Sequence, residues 1–357
     1  MSQRENVNPR REQDHRKNSR RYQKRAAARR RRNTIFIMEI VLLLILAVVL
    51  FFVSKLSKIE KTKLDMDKIE VNEDISQESR KIMKGYQTIA MFGLDNRSNG
   101  NLSQGRSDVI MLANINNDTK EVKLVSVYRD TYLDTGDGIF QKCNAAYAKG
   151  GPEQAISMLN VNLDLNITDY VTVDFNSIIE CVDLLGGVDM EITDDEASLM
   201  TGYIRELNEL TGNKAENLTQ GGTYTLNGVQ ACAYARIRYG GGDDYRRTER
   251  QRTVLTAMVK KAQQSDLTTV NKLINEVCGD IQTSFSNAEL LALASQVFQY
   301  SIGDTTGFPF TKTTRVLSKK TGDVVIPCDL SDNVKELHIF LYEDSAYTAS
   351  EDRKSVV

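Results

Sequence analysis

Arginine is concentrated in one stretch of the sequence, RIRYGGGDDYRRTERQRT, which occupies positions 236 to 253. Six guanidinium groups stand there beside two adjacent carboxylates, Asp243 and Asp244. A guanidinium fork donates paired hydrogen bonds to carboxylate or phosphate oxygens, so this density indicates recognition of an anion with several oxygens. Such binding requires the side chains to converge. The helical pattern of the same stretch indicates which of them lie on one face.

Residues 243 to 264 predict one amphipathic helix. Its apolar stripe consists of Val254, Leu255, Met258 and Ala262. Extended backwards, the stripe passes through Asp244, Arg247 and Gln251, with Arg250 at its edge. A charged side chain on a core-facing stripe must be paired or face a cleft, because burying an isolated charge costs several kcal/mol. We therefore expect Arg247 and Gln251 to face a polar cavity, and a buried Asp244–Arg247 pair without further role is the alternative.

A second pair of charged residues follows the apolar run EVKLVSVY, residues 121 to 128. The run predicts a strand, and Arg129 and Asp130 come directly after it. Arg129 falls on the same strand face as Val125 and Val127. Ligands of open α/β sheets bind at strand ends, so Arg129 is a candidate anion ligand, although a plain salt bridge explains it equally well.

Two aspartates bound a loop rich in glycine, asparagine and serine between two predicted strands, 88 to 94 and 108 to 115. Asp95 follows the first strand and Asp108 begins the second, so antiparallel pairing would bring both carboxylates to one sheet edge. Two adjoining carboxylates need a cation, and oxygen ligands without histidine or thiolate favour Mg²⁺ or Mn²⁺. The alternative is that both aspartates are turn and cap residues.

Arginines beside a carboxylate-held cation suit a diphosphate, whose oxygens can contact both. The sequence has no Walker loop and no dinucleotide fingerprint. Its two histidines, His15 and His338, and the absence of closely spaced cysteine pairs argue against a zinc site and a histidine-based triad. The pairing of the five cysteines stays open: Cys143, Cys181, Cys232, Cys278 and Cys328.

One apolar run, IFIMEIVLLLILAVVLFFV at residues 35 to 53, predicts a transmembrane helix. No small-residue cleavage site follows it, so we interpret it as an uncleaved signal anchor. Thirteen basic residues precede the span, and only Lys55, Lys58, Lys61 and Lys63 follow closely. The positive-inside rule then predicts a cytoplasmic N-terminus and an extracellular remainder.

Charge is divided unevenly along the chain, although the formal net charge is only −2. Residues 1 to 34 carry 13 basic and three acidic residues, whereas residues 35 to 357 carry 33 basic and 45 acidic ones. The basic segment is expected to be disordered, to orient the anchor and to attract anionic lipid. Sequence-independent DNA binding by this segment is the alternative, and no specific nucleic-acid binding is expected.

Strand-like and helix-like runs alternate in the outer part of the chain. Predicted strands cover 88–94, 108–115, 121–128, 170–175 and 188–192, and predicted helices cover 152–163, 177–187, 243–264 and 286–300. This mixture predicts an α/β fold with a mixed central sheet sandwiched by helices, preceded by one transmembrane helix. The predicted segments are a basic tail (1–34), the anchor (35–53), a stalk (54–85), a catalytic domain (86–325) and a C-terminal tail (326–357).

Nine short motifs occur in one order after the predicted span: FGLD-x-R, GRSD, SVYRDT, KCNAAY, VDF, LLGGVDMEI, LNG, YARIR and DDYRRTERQR. In this order and spacing they resemble the LytR-CpsA-Psr family of cell-wall glycopolymer ligases. The resemblance covers roughly residues 85 to 300. Two departures stand out: Tyr128 replaces a proline that the family usually has before the arginine, and Gly240 to Gly242 are inserted between the arginine groups.

The resemblance implies a phosphotransferase on the outer face of a Gram-positive membrane. It would move an anionic glycopolymer, of teichoic acid or capsule type, from a polyprenyl-pyrophosphate carrier to the C6 hydroxyl of N-acetylmuramic acid in peptidoglycan. A metal-dependent polyprenyl-pyrophosphate hydrolase and a membrane-bound transcriptional attenuator or regulator are the alternatives. An apolar tunnel for the lipid is also implied, with no residues assigned to it.

The same resemblance implies roles for individual residues. Catalytic roles fall on Arg129, Asp130, Arg247 and Gln251. Diphosphate binding falls on Arg106, Arg129, Arg236, Arg238, Arg247, Arg250 and Gln251. Magnesium ligation falls on Asp95 and Asp108, and further motif positions are Arg97, Lys142 and Asp244. Arg246 and Arg252 are expected to lie outside the site.

Overall fold

The inner strands of a central mixed sheet carry apolar residues on both faces, so the sheet has a hydrophobic core on each side. A computed structural model describes residues 60–61, 64–94, 102, 105–136, 138–238, 243–266, 269, 272–273 and 281–351. The predicted basic tail and transmembrane span lie outside these residues. Within the described part of the chain, no helix combines the length and the apolar character that crossing a membrane requires.

The main sheet has the strand order β1-β10-β7-β2-β3-β4-β11. Its strands are β1 (Glu60–Lys61), β2 (Tyr86–Leu94), β3 (Ser107–Asn116), β4 (Glu121–Val127), β7 (Asp169–Asp174), β10 (Ile281–Thr283) and β11 (Ser301–Phe308). Strand β3 runs antiparallel to β2 and β4, whereas β7 is parallel to β2 and β11 is parallel to β4. The predicted mixed sheet is therefore confirmed.

Three two-stranded antiparallel sheets accompany the main sheet in the described part of the chain. They are formed by β5 (Tyr132–Asp134) with β6 (Phe140–Lys142), β8 (Val188–Ile192) with β9 (Gly222–Leu226), and β12 (Lys312–Ser318) with β13 (Gly322–Pro327). The last of these follows β11, at the end of the sheet where β4 also stops. It thereby stands beside the loop that carries Arg129 and Asp130.

The helices divide between the two sheet faces and a separate helical layer. They are α1 (Gln77–Met83), α2 (Asn144–Leu163), α3 (Phe175–Leu184), α4 (Asp194–Thr211), α5 (Gly228–Arg236), α6 (Asp243–Gln264), α7 (Asn287–Ser295) and α8 (Leu330–Tyr342). Apolar side chains of α2 and α8 pack on one face of the sheet, and those of α6 and α7 pack on the other. Helices α3 to α6 share a third apolar cluster with β8 and β9.

Helix α2 begins earlier than predicted, but it contains the predicted start. The backbone leaves helical geometry at Gly150 and Gly151, and Pro152 opens the second half. Proline is tolerated in a first helical turn because its missing N–H has no partner there. Helix α3 ends at Leu184, before the predicted limit of 187, because Gly186 and Gly187 both have positive φ.

The two ends of the folded region extend beyond the predicted domain limits. Residues 326–357 are predicted as a tail, yet α8 buries Leu330, Val334 and Leu337 in the same core as α2. Ile69, within the predicted stalk, also belongs to this core. The reason is hydrophobic: four apolar residues of α8 recur at helical spacing and cover the sheet face.

Candidate active site

Several charged residues meet at one edge of the main sheet because its strands end there together. Leu94 at the end of β2 pairs with Ser107 at the start of β3, and Val127 at the end of β4 lies beside Phe308 of β11. Asp108 is the second residue of β3, and Arg129 follows β4 by two residues. Sheet register alone therefore brings the GRSD and SVYRDT motifs together.

Arg129 is the centre of this ion network. Its NH1 donates to Oδ1 of Asp108 at 2.7 Å, and its Nε lies 3.4 Å from Asp130 and 3.7 Å from Asp244. Nζ of Lys142 lies 2.7 Å from the other oxygen of Asp130. One guanidinium thus joins residues of three sequence motifs, and each partner fixes its orientation.

The KCNAAY motif holds the backbone of the same loop. The backbone N–H of Cys143 donates to the carbonyl of Thr131 at 2.8 Å, and that of Asn144 donates to the carbonyl of Arg129 at 3.1 Å. The Sγ of buried Cys143 also lies 3.2 Å from the Arg129 carbonyl. These bonds explain how two uncharged residues of the motif, Cys143 and Asn144, support the site.

Helix α6 supplies the second arginine of the cluster. Its bounds agree with the predicted helix, and Arg247 is only 3% exposed, with NH2 at 2.8 Å from Oδ1 of Asp244. The same NH2 lies 3.4 Å from the backbone carbonyl of Asp108. The predicted inward-facing register of Asp244 and Arg247 is confirmed, with Val254 and Met258 buried further along the helix.

Burial shifts the titration of these groups. It is the main cause that lowers the pKa of Arg247 to about 10, and the like charges of Arg129 and Arg238 act in the same direction. Burial likewise raises the pKa of Asp244 above its usual range, despite the neighbouring arginines. At Arg129, burial lowers the pKa, but the surrounding carboxylates outweigh burial and raise the pKa overall. Both arginines stay charged at neutral pH.

Several buried polar atoms of the cluster have no hydrogen-bond partner. They are Nε of Arg129, Nε of Arg247, Oδ2 of Asp244 and Oε1 of Gln251. Buried N–H groups are normally satisfied, since leaving a donor unpaired costs about 1–3 kcal/mol. The buried guanidinium of Arg247 and the partly buried one of Arg129 thus have donors left that an oxyanion would bind.

The other predicted site residues occupy different settings. Arg106 precedes β3 and Arg238 follows α5, and both side chains are exposed. The NH2 of Arg236 lies 3.2 Å from Oε1 of Glu206, and its guanidinium lies over the ring of Phe175. Asp95 and Arg97 lie outside the described residues, so their predicted roles stay predictions.

Arg250 is buried and is held mainly by α4. Its Nε lies 3.0 Å from Oε1 of Glu196, and NH1 lies 3.4 Å from the Ile237 carbonyl. Glu196 in turn completes a capping box with Thr193 at the start of α4. The contacts of Arg250 in this structure are thus with neighbouring helices, and its diphosphate role remains a prediction.

Arg246 and Arg252 differ although both leave the apolar stripe. Arg246 is exposed, whereas Arg252 is buried near Tyr128 with Nε and NH1 lacking hydrogen-bond partners. Tyr128 itself packs edge-on against Tyr245, with ring centroids 4.6 Å apart. Helical periodicity could not reveal the burial of Arg252, because its neighbour Tyr128 follows β4 and is distant in sequence.

An apolar cavity of about 730 Å³, including its open mouth, adjoins the cluster between the sheet and helices α3 and α6. Its walls include Met91, Val109, Val171, Phe175 and Leu255. Gln251 of α6 also lines it. No single segment predicts this cavity, since its walls come from β2, β3, β7, α3 and α6.

Residues 46–315 match the model of the LytR_cpsA_psr family. TagU of Enterococcus faecalis (strain ATCC 700802 / V583), named a polyisoprenyl-teichoic acid–peptidoglycan teichoic acid transferase, is 30% identical over 210 residues, 58% of this chain and 64% of its own length. TagV of Bacillus subtilis (strain 168), named for the same activity, is 30% identical over 53% of this chain and 48% of its own length. The chain therefore spans between about half and two thirds of these relatives.

Solved structures share the fold. TagT bound to LI-WTA superposes with a TM-score of 0.60 at 21% identity, over 79% of this chain and 98% of that one. The family protein YwtF (TagT) with bound octaprenyl pyrophosphate lipid gives 0.55 at 21% identity, over 78% and 99%. The family match, which covers residues 46–315 of the 357, shows that the chain belongs to the LytR-CpsA-Psr family.

Proposed function

We propose that this chain is a phosphotransferase that moves an anionic glycopolymer from a polyprenyl-pyrophosphate carrier onto peptidoglycan. The observation that carries the proposal is the pair of guanidinium groups of Arg129, which is partly buried, and Arg247, which is buried; the Nε of each has no hydrogen-bond partner, and an apolar cavity lies beside them. A diphosphate attached to a long apolar chain requires both features, because its oxygens need hydrogen-bond donors and its chain needs an apolar cavity. Relatives named as teichoic acid transferases support the same assignment.

The two parts of the donor would occupy adjoining parts of the site. The isoprenoid chain would fill the apolar cavity, and its burial would be driven by removal of apolar surface from water. Gln251 lines the cavity and lies one helical turn beyond Arg247, so it marks the junction between chain and diphosphate. Arg106 and Arg238, both exposed, would reach the outer phosphate oxygens.

The transfer step requires charge neutralisation more than covalent help. The acceptor hydroxyl oxygen forms a bond to the phosphorus that carries the glycopolymer, and the bond from that phosphorus to the bridging oxygen breaks. Polyprenyl phosphate leaves with the electron pair, and the hydroxyl proton passes to a carboxylate of the site or to water. Arg129 and Arg247 hold the developing negative charge from fixed positions, which lowers the barrier.

The residues present fit part of a magnesium site. Asp108 offers carboxylate oxygens at the sheet edge, and Asp95 directly follows Leu94, the partner of Ser107. Such a cation is usually held by one or two carboxylates together with substrate phosphate oxygens. Bound Mg²⁺ or Mn²⁺ would neutralise diphosphate charge, while Asp108 keeps its second task of orienting Arg129.

The proposed acceptor is the C6 hydroxyl of N-acetylmuramic acid. The proposed location is the extracellular face of the cell membrane. Residues 35–53 would anchor the chain with residues 1–34 in the cytoplasm, as their charge pattern predicts. The carrier lipid and the growing wall are both accessible there. Anchoring would also confine the site to the surface in which the donor diffuses.

Incubation of the purified chain in micelles with a polyprenyl-pyrophosphate-linked oligosaccharide, with and without peptidoglycan glycan strands, tests the proposal. We expect a phosphodiester to the glycan and release of polyprenyl phosphate only when glycan strands are present. Release of polyprenyl phosphate and free oligosaccharide phosphate at the same rate without glycan would identify a hydrolase instead. Donor left intact in both samples would exclude both enzymatic functions.

A further inference from the structure

A second cleft, of about 1010 Å³ including its open mouth, adjoins the charged cluster on another side. Its lining combines cluster residues with the β12–β13 hairpin: Asp130, Arg238, Asp244, Tyr245, Thr314 and Asp323. The apolar cavity shares none of these residues. The charged cluster therefore adjoins two separate cavities, of which only the first suits a lipid chain.

Strand order places the two cavities on opposite sides of the cluster. The apolar cavity lies over β7, β2 and β3, whereas the second cleft lies beyond β4, where the hairpin follows β11. Asp108 of β3 and Arg129 after β4 stand between them. In phosphoryl transfer the attacking and leaving oxygens lie roughly in line on opposite sides of phosphorus. With the lipid in the first cavity, an attacking group must come from the side of the second.

The hairpin is fixed firmly to the active-site loop. The backbone N–H of Val325 donates to the carbonyl of Asp130 at 2.9 Å, and Thr131 forms a bridge with Val325. At the hairpin base, Nζ of Lys312 lies 5.1 Å from the ring centre of Tyr128 and 4.7 Å from that of Tyr245. This wall is thus held at a defined distance from Arg129 and Asp130.

The lining chemistry suits a sugar ring. Tyr245 offers a flat apolar surface, and its ring is held against Tyr128. Thr314 and Asp323 offer a hydroxyl and a carboxylate that can exchange hydrogen bonds with sugar hydroxyl or amide groups. Arg238 would contact the diphosphate from the same cleft.

Hairpin register puts the two polar cleft residues of the hairpin, Thr314 and Asp323, on one face, although Val324 of the other face also lines the cleft. Thr314 pairs with Val325, and Val316 pairs with Asp323, so these residues share one face. Thr313, which pairs with Ile326, lies on the opposite face. Both threonines are exposed, so each can be replaced without disturbing the core.

We propose that this second cleft is the binding site for the acceptor, a pyranose unit of a glycan strand that presents its primary hydroxyl to the phosphorus, with Tyr245, Thr314 and Asp323 as its recognition residues. The inference rests on the proposed transferase function and adds to it the place and the contacts of the second substrate. Residue 323 lies beyond residue 315, where the family match ends, so this wall can set a preference particular to this chain.

Steady-state transfer by the full-length chain tests the assignment, with a polyprenyl-pyrophosphate-linked oligosaccharide as donor and peptidoglycan glycan strands as acceptor. Thr314→Tyr fills the cleft, and we expect it to raise KM for the glycan about tenfold or more while KM for the donor changes less than about twofold. Asp323→Asn removes one charged acceptor, and we expect a rise in the glycan KM of about threefold to tenfold.

Thr313→Tyr is the matched control, because it adds the same ring to the opposite face of the same strand. It should leave both KM values unchanged, and all three variants should melt at the wild-type temperature. Wild-type glycan KM in both Thr314→Tyr and Asp323→Asn would overturn the acceptor site while leaving the transferase intact. Absence of any transfer by the wild-type chain would overturn the proposed function and this inference together.

Discussion

Two polar clusters in this molecule, one partly buried and one buried, have their hydrogen-bonding groups satisfied to different degrees. The first is the active-site cluster of Asp108, Arg129, Asp244 and Arg247. The second, which we call the Asp164 cluster, lies at the C-terminal end of α2 and joins Asn72, Asp164, Tyr347 and Ser350. Each draws residues from distant parts of the sequence.

The Asp164 carboxylate has both oxygens occupied. Nδ2 of Asn72 and Oγ of Ser350 donate to Oδ1, while the hydroxyl of Tyr347 and the backbone N–H of Ser350 donate to Oδ2. In the active-site cluster, by contrast, guanidinium donors and a carboxylate oxygen stay without hydrogen bonds. A buried network that is fully paired stabilises a fold, whereas one with spare donors is prepared for a ligand.

The largest expected effect concerns stability. Asp164→Ala removes the acceptor of four hydrogen bonds and leaves a side chain with a Cβ in a left-handed conformation, φ 52°. We expect a loss of roughly 3 to 5 kcal/mol in the free energy of unfolding, measured by urea denaturation. Transfer per folded molecule should stay within about twofold of wild type, because the cluster touches no active-site residue.

Asp332→Ala serves as the stability control. Asp332 is an exposed carboxylate in the first turn of α8, so its loss should cost less than about 1 kcal/mol. An Asp164→Ala variant that unfolds at the wild-type urea concentration would show that the paired cluster adds no stability. The contrast between the two clusters would then be unfounded.

The next largest effect concerns rate. Arg247→Ala removes charge-assisted hydrogen bonds that strengthen as charge develops, and we expect a loss of roughly 2 to 4 kcal/mol in transition-state stabilisation, about 30- to 1000-fold. Arg247→Lys should restore little, because one ammonium cannot replace the fork. Exposed Arg246 is the neighbouring control, and Arg246→Ala should change the transfer rate less than about threefold. Equal losses at both positions, with folding intact, would contradict the assignment.

Strong periodicity explains which parts of the fold were predictable. Strands β2, β3, β4, β7 and β8 match their predicted runs within two residues, because alternating or continuous apolar residues define them. The limits of α6 agree with the predicted helix because its apolar residues recur at helical spacing. Helices α4 and α8 were missed although signals exist, namely the Thr193–Glu196 capping box and the N-cap Asp329.

The site was predictable only where motif residues share one element or one sheet edge. Asp244 and Arg247 follow from helical spacing, and Arg129 follows from its position after a strand. The role of Cys143 in holding the loop depends on backbone hydrogen bonds that no sequence pattern specifies. The burial of Arg252 depends on residues distant in sequence, so local periodicity carries no information about it.

His338, beside the Asp164 cluster, is expected to make the free energy of unfolding depend on pH, with a loss of about 3 kcal/mol as pH falls from 7 to 4. His338 stacks on Tyr347 at 3.7 Å and donates from Nε2 to the Leu163 carbonyl. Burial lowers its pKa to about 4 from 6.5, although Asp164 and Asp344 act in the opposite direction. The folded state then excludes a proton that the unfolded state binds, so this stability is present above pH 6.5 and is lost as pH falls towards 4.

Urea denaturation between pH 7 and pH 4 measures this effect as the difference between wild type and His338→Gln. The wild-type free energy of unfolding should fall more steeply, because glutamine keeps a donor for the Leu163 carbonyl but does not titrate. Parallel curves for the two proteins would show that His338 does not couple folding to protonation in this range.

The smallest effect concerns the proposed cation, and it tests whether the active-site cluster is completed by metal as well as by anion. Diphosphate binding to the purified chain can be measured by calorimetry with Mg²⁺ and again with a chelator, without any turnover. We expect the chelator to weaken wild-type binding about tenfold, or about 1.4 kcal/mol.

Asp108→Asn removes a charged oxygen ligand yet keeps an acceptor for Arg129, so its affinity should be low and independent of the chelator. Asp95→Asn should behave alike if both aspartates hold the cation. Asp118→Asn, an exposed carboxylate in the turn at the far end of β3, should respond to the chelator as wild type does. If the wild-type affinity is the same with Mg²⁺ and with the chelator, the proposed site holds no cation, and the arginines alone neutralise the diphosphate.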